Sequence, residues 1–167
     1  MIKPVQFDVV GIPGAQGSKR AFVVGNRAVV VEGGSKVGRE KQQSWRAAVV
    51  EAAMRAKVEQ FTGPVGVEIM FFMPPITSDP HRTLHYKTPD GDKLLRNVLD
   101  GLTASGLIKD DALVWSMIVK KVYARNGHWT GATIGVTDST SFEERCRTES
   151  IFHARNERKV ATRGRTK

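Results

Sequence analysis

Residues 88–123 read TPDGDKLLRNVLDGLTASGLIKDDALVWSMIVKKVY, and the rest of the chain is organised around them. Leu94, Leu95, Val98, Leu99 and Leu102 follow the i, i+1, i+4, i+5, i+8 spacing of one buried stripe, which predicts a helix from Asp92 to Ser105. With successive residues turned by about 100°, Asp92, Arg96 and Asp100 share the face beside that stripe. Asp90 and Asp92 flank Gly91 just after Pro89, where the unpaired N–H groups and dipole of a helix start stabilise negative charge. Gly106 is placed to end the helix in a left-handed turn, with Leu107 closing back on the last turn. Lys109, Asp110 and Asp111 then form a polar turn before a strand from Leu113 to Tyr123.

Four carboxylates therefore bracket one helix. If the returning strand runs alongside, the Asp110-Asp111 turn can approach the helix start. Asp100 is eight residues from Asp92, about 12 Å along a helix, too far to share one ion. Converging carboxylates suit a hard divalent ion such as Mg²⁺, which takes oxygen ligands and keeps waters for a phosphate substrate. The plainer reading is that Asp90 or Asp92 caps the helix and that Asp110-Asp111 is a solvated turn. For either pair alone, the plainer reading is the better one.

The run from Pro89 to Ala124 resembles the signature region of the RusA-type Holliday-junction resolvases. That pattern is D-x-D, an apolar helix with Asp-x-Leu near its end, a Gly, then Asp-Asp before a basic strand. Asp90, Asp92, Leu94, Asp100, Leu102, Gly106, Asp110 and Asp111 match it without a gap. The resemblance implies a structure-selective DNA endonuclease that resolves four-way junctions by paired nicks, leaving 5′-phosphate and 3′-hydroxyl ends. It gives Asp90, Asp92 and Asp111 the metal-binding role, with Mg²⁺ as the ion and Mn²⁺ as a substitute. Asp110 is then a second-choice ligand, and Asp100 orders Arg96 or the backbone. Gly91 stands where the family usually has Leu, and Lys93 where it has Asn. Arg96 takes the place of a functional lysine, keeping the charge but not the ability to lose a proton, so it suits phosphate contact. Its structural alternative is an ion pair with Asp92 or Asp100, worth a few tenths of a kcal/mol.

The chain has 167 residues, 40% of them hydrophobic, enough for one domain with a real core. The expected fold is α+β, with a mixed or antiparallel sheet and two main helices, over residues 1–138. Residues 139–167 form a basic extension, partly helical around Phe142 to Glu157 or disordered. Cys146 is the only cysteine, which excludes an intramolecular disulfide framework and fits a reducing cytoplasm. No apolar run approaches a membrane span. Net charge is +9, and from Arg145 to Lys167 eight Lys or Arg face two acids, so +6 of the +9 lies in this last stretch. Such a tail adds salt-sensitive affinity for DNA without marking a site.

Val5 to Gly11 alternates as a first strand, followed by a glycine-rich loop that lacks the Lys-Ser/Thr ending of a phosphate-cradling loop. Lys19 and Arg20, at the end of that loop, are candidate phosphate contacts. Ala21 to Val24 and Arg27 to Val31 make a hairpin through Gly25-Asn26. Glu40 to Lys57 is a helix with Trp45, Ala48, Val49, Ala52, Ala53 and Ala56 on one face. Pro64 to Met73 is a strand, and residues 76–89 are a loop bearing His81, Arg82, His85 and Lys87. Of the adjacent pair Lys120-Lys121, alternation allows at most one to face the acids, and Lys120 joins Lys87 and Lys93 as a DNA-contact candidate. Asn126-Gly127 predicts a hairpin to a strand from Trp129 to Val136, with Trp115 and Trp129 able to pair across it.

Two cuts require two sites, which a homodimer supplies by symmetry. Branched DNA is the expected partner, and resemblance to phage-borne relatives makes phage DNA processing a reasonable setting. A rival reading is a protein that binds junctions without cutting them, its acids serving only as caps. A D-x-D sugar-nucleotide transferase is a poorer rival, since no nucleotide-binding βαβ unit is recognisable.

Overall fold

The computed structural model describes residues 3–17, 19–33, 35–79, 81–125 and 128–139. The elements run β1 (Val5–Val10), β2 (Lys19–Val24), β3 (Arg27–Glu32), α1 (Lys36–Arg55), β4 (Val65–Met73), α2 (Gly91–Ala104), a 3-10 turn (Asp111–Leu113), β5 (Val114–Tyr123) and β6 (Gly131–Asp138). The fold is thus α+β with a mixed sheet and two main helices. The expected helix at Phe142 to Glu157 lies outside the described residues.

Four strands form one sheet in the order β1-β6-β4-β5, with β4 and β5 parallel and the other pairs antiparallel. The β2-β3 hairpin is a separate two-stranded sheet, its Val24↔Arg27 register leaving Gly25-Asn26 as the turn, with Gly25 at φ +60. The expected β5-β6 hairpin does not form, because β4 lies between these strands. A local Asn-Gly signal favours a turn but cannot exclude insertion of a strand from earlier in the chain, and β4 is the most apolar strand available. Trp129 accordingly meets Phe72 of β4, with ring centroids 5.2 Å apart, rather than Trp115.

One face of the sheet carries Val5 and Val9 of β1, Ile134 and Val136 of β6, and Val65, Val67, Ile69 and Phe71 of β4, all buried. Both helices supply the facing side of the core. Helix α1 begins four residues before its expected start, because the Ser35 Oγ accepts a bond from the Gly38 N–H at 3.1 Å and caps it. Trp45, Val49, Ala52 and Ala53 are its buried apolar residues, as the spacing predicts.

Helix α2 buries Leu94, Val98 and Leu102, each worth roughly 1.5–3 kcal/mol, which outweighs helix propensity in a segment of this length. Its buried surface is rotated from the expected stripe: Asn97 and Gly101 are buried too, while Leu95 and Leu99 are only partly so. The cause is a second packing partner. A Cβ at Gly101 would lie 2.7 Å from Val49 Cγ1, so the two helices meet at the glycine. Helix α2 ends as expected: Gly106 has φ +76, and the Leu107 N–H reaches the Leu102 carbonyl at 3.1 Å.

Candidate active site

Asp90 is the N-cap residue of α2 by backbone conformation, but its side chain makes no capping bond. Instead its carboxylate pairs with Lys93 Nζ at 2.9 Å. This hydrogen bond and the charge of Lys93 hold the Asp90 carboxyl below its ordinary range, while Asp90 and then Asp92 hold the Lys93 ammonium above its own. Asp90 is therefore ionised at neutral pH. Asp92, in the first turn, is exposed. Arg96 lies one turn further on, also exposed, and makes no ion pair among the described residues; the expected pairing with Asp92 or Asp100 is not made.

Asp100 is held by another partner. Its Oδ2 accepts from Arg46 Nη2 at 2.6 Å and from Gln16 Nε2 at 3.1 Å, so it orders α1 and the glycine-rich loop rather than Arg96. Buried Asn97 joins the same network. It accepts from Arg46 Nε at 2.9 Å and donates to the carbonyls of Gly14 at 2.8 Å and Gln42 at 3.0 Å. The Gln16 N–H donates to the Lys93 carbonyl at 3.0 Å, fixing this loop against the first turn of α2. No local pattern marks Arg46 as part of this network, because its partners lie more than fifty residues away.

The segment before α2 is pinned by β5. Lys121 Nζ donates to the carbonyls of Pro89 at 2.7 Å and Lys87 at 3.0 Å. Lys121, not Lys120, is therefore the β5 lysine at the acidic site. The register explains the choice: Lys121 lies opposite core residue Phe71 on the helix-covered face, and Lys120 opposite Met70 on the other. The side chain of Lys87 is exposed, and the backbone of Lys19 and Arg20 opens β2.

The loop from residue 76 is more ordered than its composition suggests. Arg82 pairs with Asp79 at 2.9 Å and sits 5.2 Å from the Tyr86 ring centroid, while Leu84 bridges Val122. His85 is 9% exposed, 4.6 Å from Tyr123 ring to ring, and its Nδ1 is buried without a hydrogen-bond partner. Burial, and then the charge of Lys121, hold its imidazole below the ordinary 6.5 despite a backbone hydrogen bond that favours the cation. The unfolded chain thus takes up a proton first as pH falls. His85 should lower stability progressively below about pH 6.5 down to its folded-state value, and His85→Gln should flatten that part of a melting-temperature profile.

Asp110 caps the 3-10 turn, its Oδ1 accepting from the Ala112 N–H at 2.8 Å, so it is a turn residue. Asp111 is exposed. It does not join Asp90 and Asp92, and among the described residues no three His, Cys, Asp or Glu side chains are grouped to hold a metal. The returning strand does run beside α2, but in the opposite direction. Lys121 is the end that reaches Pro89, while Asp111 precedes the other end, and Val114 to Lys121 alone spans roughly 23 Å at about 3.3 Å per residue.

The family model for endodeoxyribonuclease RusA matches residues 21–134. The protein is thus a DNA endonuclease by class. More particularly, the chain belongs to the RusA family, whose activity is Holliday-junction resolution. No curated protein matches the chain. Among the described residues, no helix is long and apolar enough to cross a membrane.

Proposed function

We propose that this chain is a Mg²⁺-dependent endonuclease that resolves four-way DNA junctions by paired symmetrical nicks. The observation that carries the reading is the pair Asp90 and Asp92 at the start of α2, with the exposed guanidinium of Arg96 one turn beyond. Two exposed carboxylates with only oxygen donors fit Mg²⁺, which uses one or two carboxylates and completes its shell with water and phosphate. Asp90 and Asp92 would hold the ion; the resemblance gives Asp111 the same role, and within one chain it stands at the opposite end of β5 from that pair. Mg²⁺ bound there supplies Lewis acidity and a water of lowered pKa, and Mn²⁺ can replace it.

The protein's own groups do the positioning. Lys121 fixes the backbone leading into Asp90, and the Gln16–Asp100–Arg46 bonds fix α2 against α1. Arg96 contacts a phosphate beside the cut, where charge builds in the transition state. Lys93 neutralises Asp90 in the free chain, and its ammonium would be available to a DNA phosphate if Asp90 held an ion instead. Lys87, Lys19 and Arg20 extend the phosphate-binding surface. Lys120, on the far face of β5, is left to contacts away from the cut. The enzyme acts on branched DNA in the cytoplasm as a homodimer, and phage DNA processing is a fitting role.

Arg96→Met tests the reading. Cleavage should fall about 10²-fold, in line with losing one stabilising charge at a reacting phosphate, with junction binding reduced far less. Arg96→Lys should recover part of the loss. Unchanged cleavage in both variants contradicts the assigned role of Arg96.

A further inference from the structure

The face of the four-stranded sheet turned away from both helices is buried at its centre, although among the described residues no helix or strand lies over it. Alternation along β4 sends Val67, Ile69 and Phe71 to the helices, and Glu68 and Met70 to the opposite side. Register places Gly66 opposite Thr137 of β6, Glu68 opposite Gly135 and Met70 opposite Thr133. On this side Glu68 is 4% exposed, Thr133 4% and Thr137 2%. Gly66 and Gly135 have no side chain with which to shield Glu68, and they leave a shallow trough across the two central strands. Towards the β1 edge the same face is open, with Gln6, Asp8 and Val10 exposed. The β2-β3 hairpin is itself exposed from Ala21 to Ala28 and gives no cover.

A carboxylate buried this deeply needs a cation or hydrogen-bond donors over it. The chain carries a fitting segment that starts in the right place. β6 ends at Asp138, and the Ser139 N–H donates to the Pro64 carbonyl, just before the start of β4. Residues 140–167 follow, outside the described residues and beyond the family match at residues 21–134. In their sequence Ser141, with Glu144 three residues on, has the pattern of a capping box. Phe142, Arg145, Cys146, Glu149 and Phe152 are spaced to share one helical face, and Arg147 falls off it. The lengths agree: Glu68 is about 13 Å along β4 from Pro64, and Arg145 is about 9 Å of helix beyond Ser139, a difference that an arginine side chain spans.

We propose that residues 141–152 form a helix of the same chain that packs into this trough over β4 and β6, with the Arg145 guanidinium on the Glu68 carboxylate and Cys146 against the sheet. The first half of the basic extension is then part of the fold. Arg158, Lys159, Arg163, Arg165 and Lys167 are the cations it leaves for nucleic acid.

Cys146 is the only thiol, so its reactivity in the native full-length protein reads the contact directly. Ellman's reagent should modify it at least about tenfold more slowly in buffer than in denaturant, because a buried thiol is shielded from attack. Equal rates overturn the proposal. Arg145→Met should abolish the protection by stranding the Glu68 carboxylate, and adding Glu68→Met should restore it, since a buried ion pair can be exchanged for apolar side chains but not halved. Protection that survives Arg145→Met, or that the second change fails to restore, overturns the pairing. A photoreactive benzophenone amino acid in place of Phe142 locates the segment without touching the ion pair. Unlabelled and heavy-isotope protein, unfolded and refolded together, should then couple on illumination to β4 or β6 peptides of the same isotopic chain. Coupling to those strands across isotopes assigns the cover to a second copy, and coupling elsewhere assigns the segment to another surface; either overturns the proposal.

Discussion

Replacing Asp90 or Asp92 by Asn should lower junction cleavage by about 10³-fold or more, because each change removes a charged oxygen ligand from the site of phosphate attack. Binding should persist. Asn keeps the size of the side chain, and Asp90 makes no capping bond that the fold would lose. Removing a negative charge near DNA should tighten binding slightly, most visibly at low salt. In Asp90→Asn the ion pair with Lys93 is also lost, which leaves an additional free cation at the helix start. Cleavage assays with Mg²⁺, run beside gel-shift titrations, measure both effects. Equal cleavage by wild type and Asp90→Asn would remove Asp90 from the chemistry. A wild type that binds but never cuts would favour the junction-binding alternative.

The largest effect on stability should come from Asn97→Ala, about 2–4 kcal/mol, with a melting temperature lower by roughly 5–15 °C. Asn97 has 0% exposure, and its amide bonds to Gly14, Gln42 and Arg46. Alanine would leave two buried carbonyls and one guanidinium N–H short of a partner, and these could not all reach water. Asp100→Asn should cost less, because the Arg46–Asp100 pair is about one-third exposed at both ends, at 34% and 30%. Thermal melts of the two variants test this order. An Asn97→Ala protein as stable as wild type would show that the loop and α1 do not depend on this amide.

The sequence carried the elements more fully than their partners. Local patterns were sufficient for α2, for its Gly106 terminus and for the apolar face of α1, since capping and periodicity act within a few residues. Strand order was not legible at β5 and β6, because the pairing of β4 between them is a long-range choice. Asn97 and Gly101 interrupt an apolar stripe, and only the presence of α1 across from them explains why both are buried. Asp90 and Asp92 are two residues apart, so their proximity follows from the chain itself. The place of Asp111 depends on the direction in which β5 returns, and that direction separates it from the pair. The choice between Lys120 and Lys121 depends on a strand register that no single-strand pattern contains.

The most direct test of the central claim is strand-resolved cleavage of a synthetic four-way junction beside duplex DNA of the same sequence, with Mg²⁺ and with EDTA. Paired nicks at symmetrical positions in the junction, absent from the duplex and abolished by EDTA, are the predicted result. Junction binding without nicks across Mg²⁺, Mn²⁺ and varied junction sequences would contradict it.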